Sequence, residues 1–200
     1  MGQRGRRLDV APAGLSLSSI ARGMTVPDVI APGLRVLFVG VNPGIRSGQT
    51  RHHFAHPSGR LWKVLYESGF TPQIVKPAEE QLLLEYGLGL TNLVDRPTSA
   101  ASELAAAELR TGAARLRRMI RRYQPEWIAI LGVVAYRIAF GQPDAVVGPQ
   151  ARKISSSRLW VLPGPTGRNA HYPMSRLTEE FRQFYLAIAL APVSARAKQG

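Results

Sequence analysis

Short runs of consecutive apolar residues alternate along this chain with longer segments whose apolar positions recur every three or four residues. The first run, Arg35 to Val41, contains Val36-Leu37-Phe38-Val39 and is rich in β-branched and aromatic side chains. A half-exposed strand would alternate polar and apolar residues, so this run reads as a strand buried on both faces. Gly89 to Val94, Trp127 to Gly132 and Arg158 to Leu162 read the same way. Helical periodicity fills the spaces between them. It predicts a helix from Ser58 that carries Leu61, Trp62, Leu65 and Tyr66 and is capped by Gly69, then helices over Glu79–Tyr86, Ser102–Tyr123, Val133–Phe140 and Ser175–Leu190. The Gly-, Ser- and His-containing stretch from Ile45 to Pro57 predicts a loop. Alternating strands and helices give an α/β fold with a mostly parallel sheet. Residues 1–30 have weak periodicity and a basic start, and predict a mobile arm that could carry a helical turn near Leu15 to Ala21. Residues 31–192 are expected to form a single domain, and 193–200 a tail.

Composition narrows the function classes. Two hundred residues suit one domain with a full core. No apolar run approaches the ~18 residues that span a bilayer, and no apolar stretch follows the leading arginines, so neither a membrane helix nor a signal peptide is expected. A cytoplasmic location is the expectation. The absence of cysteine excludes disulfides and thiolate-ligated clusters. The net charge of +13 favours a polyanionic partner, since Lys and Arg displace counterions from phosphates. An arginine-rich composition alone could give that charge, but the acids are unevenly placed. None lies between Asp28 and Glu67, or between Asp144 and Glu179, while ten Arg and Lys residues do: Arg35, Arg46, Arg51, Arg60, Lys63, Arg152, Lys153, Arg158, Arg168 and Arg176.

The candidate chemistry sits inside those acid-free windows. Gly40-Val41-Asn42-Pro43-Gly44 ends the first strand, and ligands of open α/β sheets bind beyond the carboxyl ends of strands. Asn-Pro-Gly is also a common turn. Asn92 stands near the end of the second strand, as Asn42 does on the first, and two carboxamides offer the donors and acceptors needed to read a base edge. Asn92 could equally satisfy strand-end backbone groups. His52, His53 and His56 lack the spacing of a metal site, and phosphate contact or structural hydrogen bonding suits them better. The arginines ending the 102–123 helix, Arg115 to Arg122, suit the helix dipole and need no further role.

Several blocks occur in order: Gly-Val-Asn-Pro-Gly at 40–44, Phe54-Ala55-His56-Pro57, Arg60-Leu61-Trp62-Lys63, Thr91 to Pro97, and the late loop from Leu162 to Pro173. Together they resemble the mismatch-specific uracil-DNA glycosylases and their eukaryotic thymine-DNA glycosylase relatives, over roughly residues 30 to 190. The resemblance implies a three-layer α/β/α sandwich around a four- to five-stranded sheet. It implies a monomeric enzyme on double-stranded DNA that extrudes a mispaired uracil, as in a G·U pair, and hydrolyses its N-glycosidic bond without metal or cofactor. Asn42 would orient the attacking water; an amide takes no proton near neutral pH, so it cannot be a general base. Val41, Pro43, Gly44, Ser47, Phe54 and Asn92 would form the base pocket, with Phe54 stacked on the pyrimidine and Ser47 near its C5 side. Gly167, Arg168 and Asn169 would wedge into the duplex and read the widowed guanine. Asp95 is either an auxiliary acid or the partner of Arg96 or another arginine. Two rivals remain: a non-catalytic mismatch or lesion binder on the same fold, and a nucleoside hydrolase. No nucleotide-binding glycine fingerprint follows any strand, and a nucleotide cofactor has no support.

Overall fold

A computed structural model describes residues 24–167 and 169–191. Five strands form one sheet: β1 (Val36–Gly40), β2 (Leu88–Asn92), β3 (Trp127–Leu131), β4 (Gly148–Ile154) and β5 (Ser157–Leu162). Their order is β2-β1-β3-β5-β4, with every pairing parallel except β4 against β5. The α-helices are α1 (Ile45–Thr50), α2 (Leu61–Glu67), α3 (Ala106–Tyr123), α4 (Val133–Phe140) and α5 (Met174–Leu190).

The continuous apolar strands are explained by two cores. Successive side chains of a strand point to opposite faces. Val36 and Phe38 therefore pack with Leu61, Leu65, Phe181 and Phe184 from α2 and α5. Leu37 and Val39 pack with Leu116, Ile120, Tyr136 and Phe140 from α3 and α4. Helices cover both faces of a mostly parallel sheet, as expected. No helix of the described residues is long and apolar enough to cross a membrane.

Several elements differ from the sequence reading. The stretch read as a loop over 45–57 begins with α1. Residues 79–86 belong to a 3-10 segment, Pro77–Tyr86. The helix expected from Ser102 starts at Ala106, after a 3-10 turn at Ala101–Glu103, because the Glu108 carboxylate reaches back to the Ala105 N–H (2.9 Å) and caps the helix there. β4 has no apolar pattern to mark it as a strand, because its sequence, GPQARKI, is mostly exposed and polar. Proline and charge on an edge strand discourage pairing with a further chain. Residues 24–30, read as part of the arm, join the domain: Val29 is fully buried and bridges Leu90. The rest of the arm, with the turn near Leu15, and residues 192–200 of the tail lie outside the described residues.

β1 is the point at which the chain's path across the sheet reverses, β2 lying on one side of it and β3 on the other. Such a switch point opens a crevice beyond the strand ends. The loop after β2 is held under α3 by close contact at Gly112, where an added Cβ would lie 2.2 Å from the Leu93 carbonyl oxygen. Backbone cannot yield cheaply there. Gly112→Ala is expected to destabilise the fold by about 1–3 kcal/mol, a fall in Tm of roughly 2–12 °C. An unchanged Tm in thermal unfolding would contradict this packing.

Candidate active site

A cavity of about 480 Å³ opens beyond the carboxyl ends of the parallel strands. Its lining includes Val41, Asn42, Pro43, Gly44, Ser47, Phe54, Asn92 and Gly167, which the sequence reading placed at the site, and Thr98, His53 and Ser58, which it did not. The loop after β1 is stitched to the loop after β2 by backbone bonds: Leu93 N–H to Gly40 O (2.8 Å), Val94 N–H to Val41 O (2.9 Å) and Thr98 N–H to Pro43 O (3.1 Å).

Asn42 sits across that seam. Its Nδ2 donates to Pro43 O (3.0 Å), Arg96 O (3.0 Å) and Thr98 Oγ1 (2.7 Å). Two of these acceptors are carbonyls, and the Thr98 hydroxyl spends its own proton on Ala100 O (2.8 Å). The nitrogen's two protons serve the three acceptors with one of them shared, and an oxygen could donate to none, which fixes the amide's orientation. Its Oδ1 has no donor among the described residues and is left as an acceptor beside the cavity.

Asn92 pairs in register with Gly40. The residue is only 5% exposed and lines the cavity, and its carboxamide has no hydrogen-bond partner among the described residues. Amides away from bulk water are normally hydrogen-bonded, so an unpaired one in a cavity wall is a ready ligand contact. Gly40 makes room for it. A Cβ there would lie 2.3 Å from Asn92 Oδ1 and 3.3 Å from Phe54 Cζ. Gly44 leaves space of another kind: a Cβ would meet nothing within 4 Å, and its backbone (φ −71) does not require glycine.

Phe54 adopts the left-handed conformation (φ 49), which disfavours non-glycine residues by about 1 kcal/mol. Its neighbours hold it. Ser47 Oγ accepts the Ala55 N–H (3.1 Å). Glu80, only 4% exposed, accepts the His53 N–H (2.8 Å) and contacts Nδ1 of His53 and of His52, each at 3.1 Å. Burial opposes ionisation of Glu80, but these hydrogen bonds outweigh it and hold the carboxyl below its usual range. Two of the three histidines therefore serve Glu80. His56 instead accepts from Ser58 through Nδ1 (N–H 3.2 Å).

Arg60 organises the late loop. Its guanidinium donates to the carbonyls of Tyr172 (2.6 Å), Thr166 (2.6 Å) and Asn169 (3.2 Å), and its N–H to Pro165 O (3.0 Å). Gly167 presses on Ser58, whose Oγ would lie 2.6 Å from an added Cβ. Asn169 does not line the cavity; its amide braces the loop through Gly164 O (3.1 Å). Arg168 lies outside the described residues. Spacing could not single out Arg60 or Glu80, since their partners are backbone carbonyls and ring nitrogens distant in sequence or on another element.

Asp95 does not line the cavity either. It pairs with Arg115 (2.9 Å), while Arg96 pairs with Glu108 (2.9 Å). Burial raises the Asp95 pKa, Arg115 opposes the rise and Asp28 adds to it. Arg115 also donates to the Asn92 carbonyl, so an arginine assigned only to the helix dipole props the end of β2.

The Glu80 contacts carry a pH signature. A carboxyl held low in the folded state contributes stability that is full above its unfolded pKa of about 4.3 and is lost as pH falls through the folded value. Glu80→Gln is expected to lower Tm at pH 7 by roughly 3–12 °C, for charged hydrogen bonds of about 1.5–3 kcal/mol, and to flatten the acid limb of the Tm–pH curve. An acid limb unchanged from wild type would contradict the ionised brace.

The arrangement comprises a clamped carboxamide, an unpaired one beside it, an aromatic wall and a late loop, held by Arg60, that contributes Pro165, Thr166 and Gly167 to the lining. A family model described as the uracil DNA glycosylase superfamily matches residues 27–189. That match covers the whole sheet and every element that lines the cleft, and the chain belongs to the uracil-DNA glycosylase superfamily of DNA-repair hydrolases.

Proposed function

We propose that the protein excises mispaired uracil from double-stranded DNA, with G·U as the defining substrate, and leaves an abasic site. The observation that carries this reading is the pair of carboxamides on one cavity: Asn42 fixed through its nitrogen, and Asn92 unpaired in the wall. An extruded pyrimidine presents alternating carbonyl acceptors and an N–H donor, and one free amide answers that edge with a donor and an acceptor. Unstacking is least costly at a mismatch, which supplies part of the selectivity. Phe54 gives the ring a stacking face, and the open space at Gly44 admits it.

Water adds to C1′ of the deoxyribose as the C1′–N1 bond breaks, and the base departs carrying the bonding electrons. Asn42 Oδ1 accepts a hydrogen bond from that water and points its lone pair at the sugar. The proton leaves to solvent, because an amide does not take it. Rate then rests on positioning and on stabilising the departing anion with donors already aimed at it. Asn92 Nδ2 supplies such a donor from the cavity wall. Gly167 and Arg168 act from the late loop, on the widowed guanine and in the gap, on a platform fixed by Arg60. Asn169 braces that platform.

Asp95, tied to Arg115 and away from the cleft, is assigned no part in the chemistry. A second reading, a lesion binder that does not cleave, draws on the lack of a carboxylate among the described residues of the cleft lining. Single-turnover excision on a G·U duplex separates these. Wild type should form abasic sites, Asn42→Ala should lose activity by about 10²-fold or more, and Asp95→Ala should stay within about threefold. Full activity in Asn42→Ala with loss in Asp95→Ala would reverse the assignment. Tight mismatch binding without abasic sites would favour the binder.

A further inference from the structure

The arginines near the end of α3 meet a partner that the sequence did not reveal. Arg117 and Arg121, four apart on one face of α3, line a concave site of about 280 Å³ together with Arg152 and Lys153 of β4. Consecutive strand residues ordinarily point to opposite faces. Here the register against β5 shifts between Gln150 and Lys153, and this irregularity lets both cations line the same cavity. Ile154 and Ser155 close it, Ser155 in the left-handed conformation (φ 55) that turns the chain into β5. None of the four cations pairs with a carboxylate among the described residues. The helix dipole suits Arg121 in the last turn but has no bearing on the two strand residues. Like charges brought together in this way repel, and an anionic ligand relieves the repulsion.

The site lies at the far end of the sheet from the cleft. β5 runs parallel to β3 and β1, so the β4–β5 turn and the carboxyl end of α3 are at the edge where the parallel strands begin. The cleft is at the edge where they end. Five-residue strands separate the two edges by roughly 16 Å.

We propose that this site binds backbone phosphates of a second segment of duplex DNA, facing away from the one held at the cleft. The lining offers charge and a hydroxyl but neither an aromatic face nor a carboxamide, so it reads phosphate and not base. The polymer that a DNA glycosylase already binds supplies such phosphates at high local density. The protein thereby becomes bivalent for DNA and can pass between neighbouring segments, with a steep dependence on salt.

The test uses the full chain loaded on an immobilised uracil-containing duplex, to which a labelled, undamaged short duplex is offered at low salt. Wild type should capture the second duplex. Arg117→Glu/Arg121→Glu and, separately, Arg152→Glu/Lys153→Glu should each reduce capture by roughly tenfold or more, as expected from the loss of two phosphate contacts. Both variants should keep wild-type excision on the uracil duplex and a cooperative thermal transition; using pairs from two elements guards against one failing to fold. Capture at wild-type level in both folded variants overturns the proposal. So does loss of excision together with capture, which would place the site on the cleft duplex. So does a wild type that binds inorganic tripolyphosphate by calorimetry yet captures no second duplex. Capture is scored independently of cleavage, so an inactive wild type would strike the proposed function and leave this result standing.

Discussion

The site depends on one amide nitrogen. Asn42 Nδ2 faces two backbone carbonyls and a hydroxyl whose proton is already committed. All three acceptors belong to the loops after β1 and β2, so the same contacts that close the seam between these loops also orient the side chain. An asparagine could otherwise turn either way. Here the carbonyl oxygen is what remains to act on a ligand, and the amide's inability to take a proton becomes compatible with catalysis by placement.

Around that clamp the sequence uses charge to fix backbone. Glu80 holds the chain at His52 and His53 and thereby keeps Phe54 in a conformation it would not choose. Arg60 gathers the carbonyls of Thr166, Asn169 and Tyr172 into a late loop. Neither charge is primarily a partner for an opposite charge at the surface. Each satisfies several polar groups of irregular chain at the rim of a cavity, where unpaired backbone would otherwise favour other conformations. Gly40 completes the plan by omission: its missing Cβ is the space that Asn92 and Phe54 occupy.

Much of this was legible in the sequence. Four apolar runs gave the four parallel strands because burial on both faces leaves no polar position in them. Asn42 and Asn92 were legible because each stands at or just past the carboxyl end of an apolar run. β4 was not, since an edge strand exposed to water has the composition of a loop. Nor was α1, which spans six residues and shows too little periodicity to register. The partner of Asp95 could not be read either: Arg115 reaches it from α3 across a fold-level contact, while the adjacent Arg96 turns to Glu108.

The central claim, that the clamp on Asn42 places the water, is tested most directly by a double-mutant cycle between Asn42 and Thr98 on the single-turnover excision rate. Thr98→Val keeps the shape and removes the hydroxyl that accepts from Nδ2. The account predicts that Thr98→Val slows excision in wild type with little change in duplex affinity, and has no further effect once Asn42 is alanine. Additive losses in the double variant would show that Thr98 acts independently of Asn42 and would contradict the clamp.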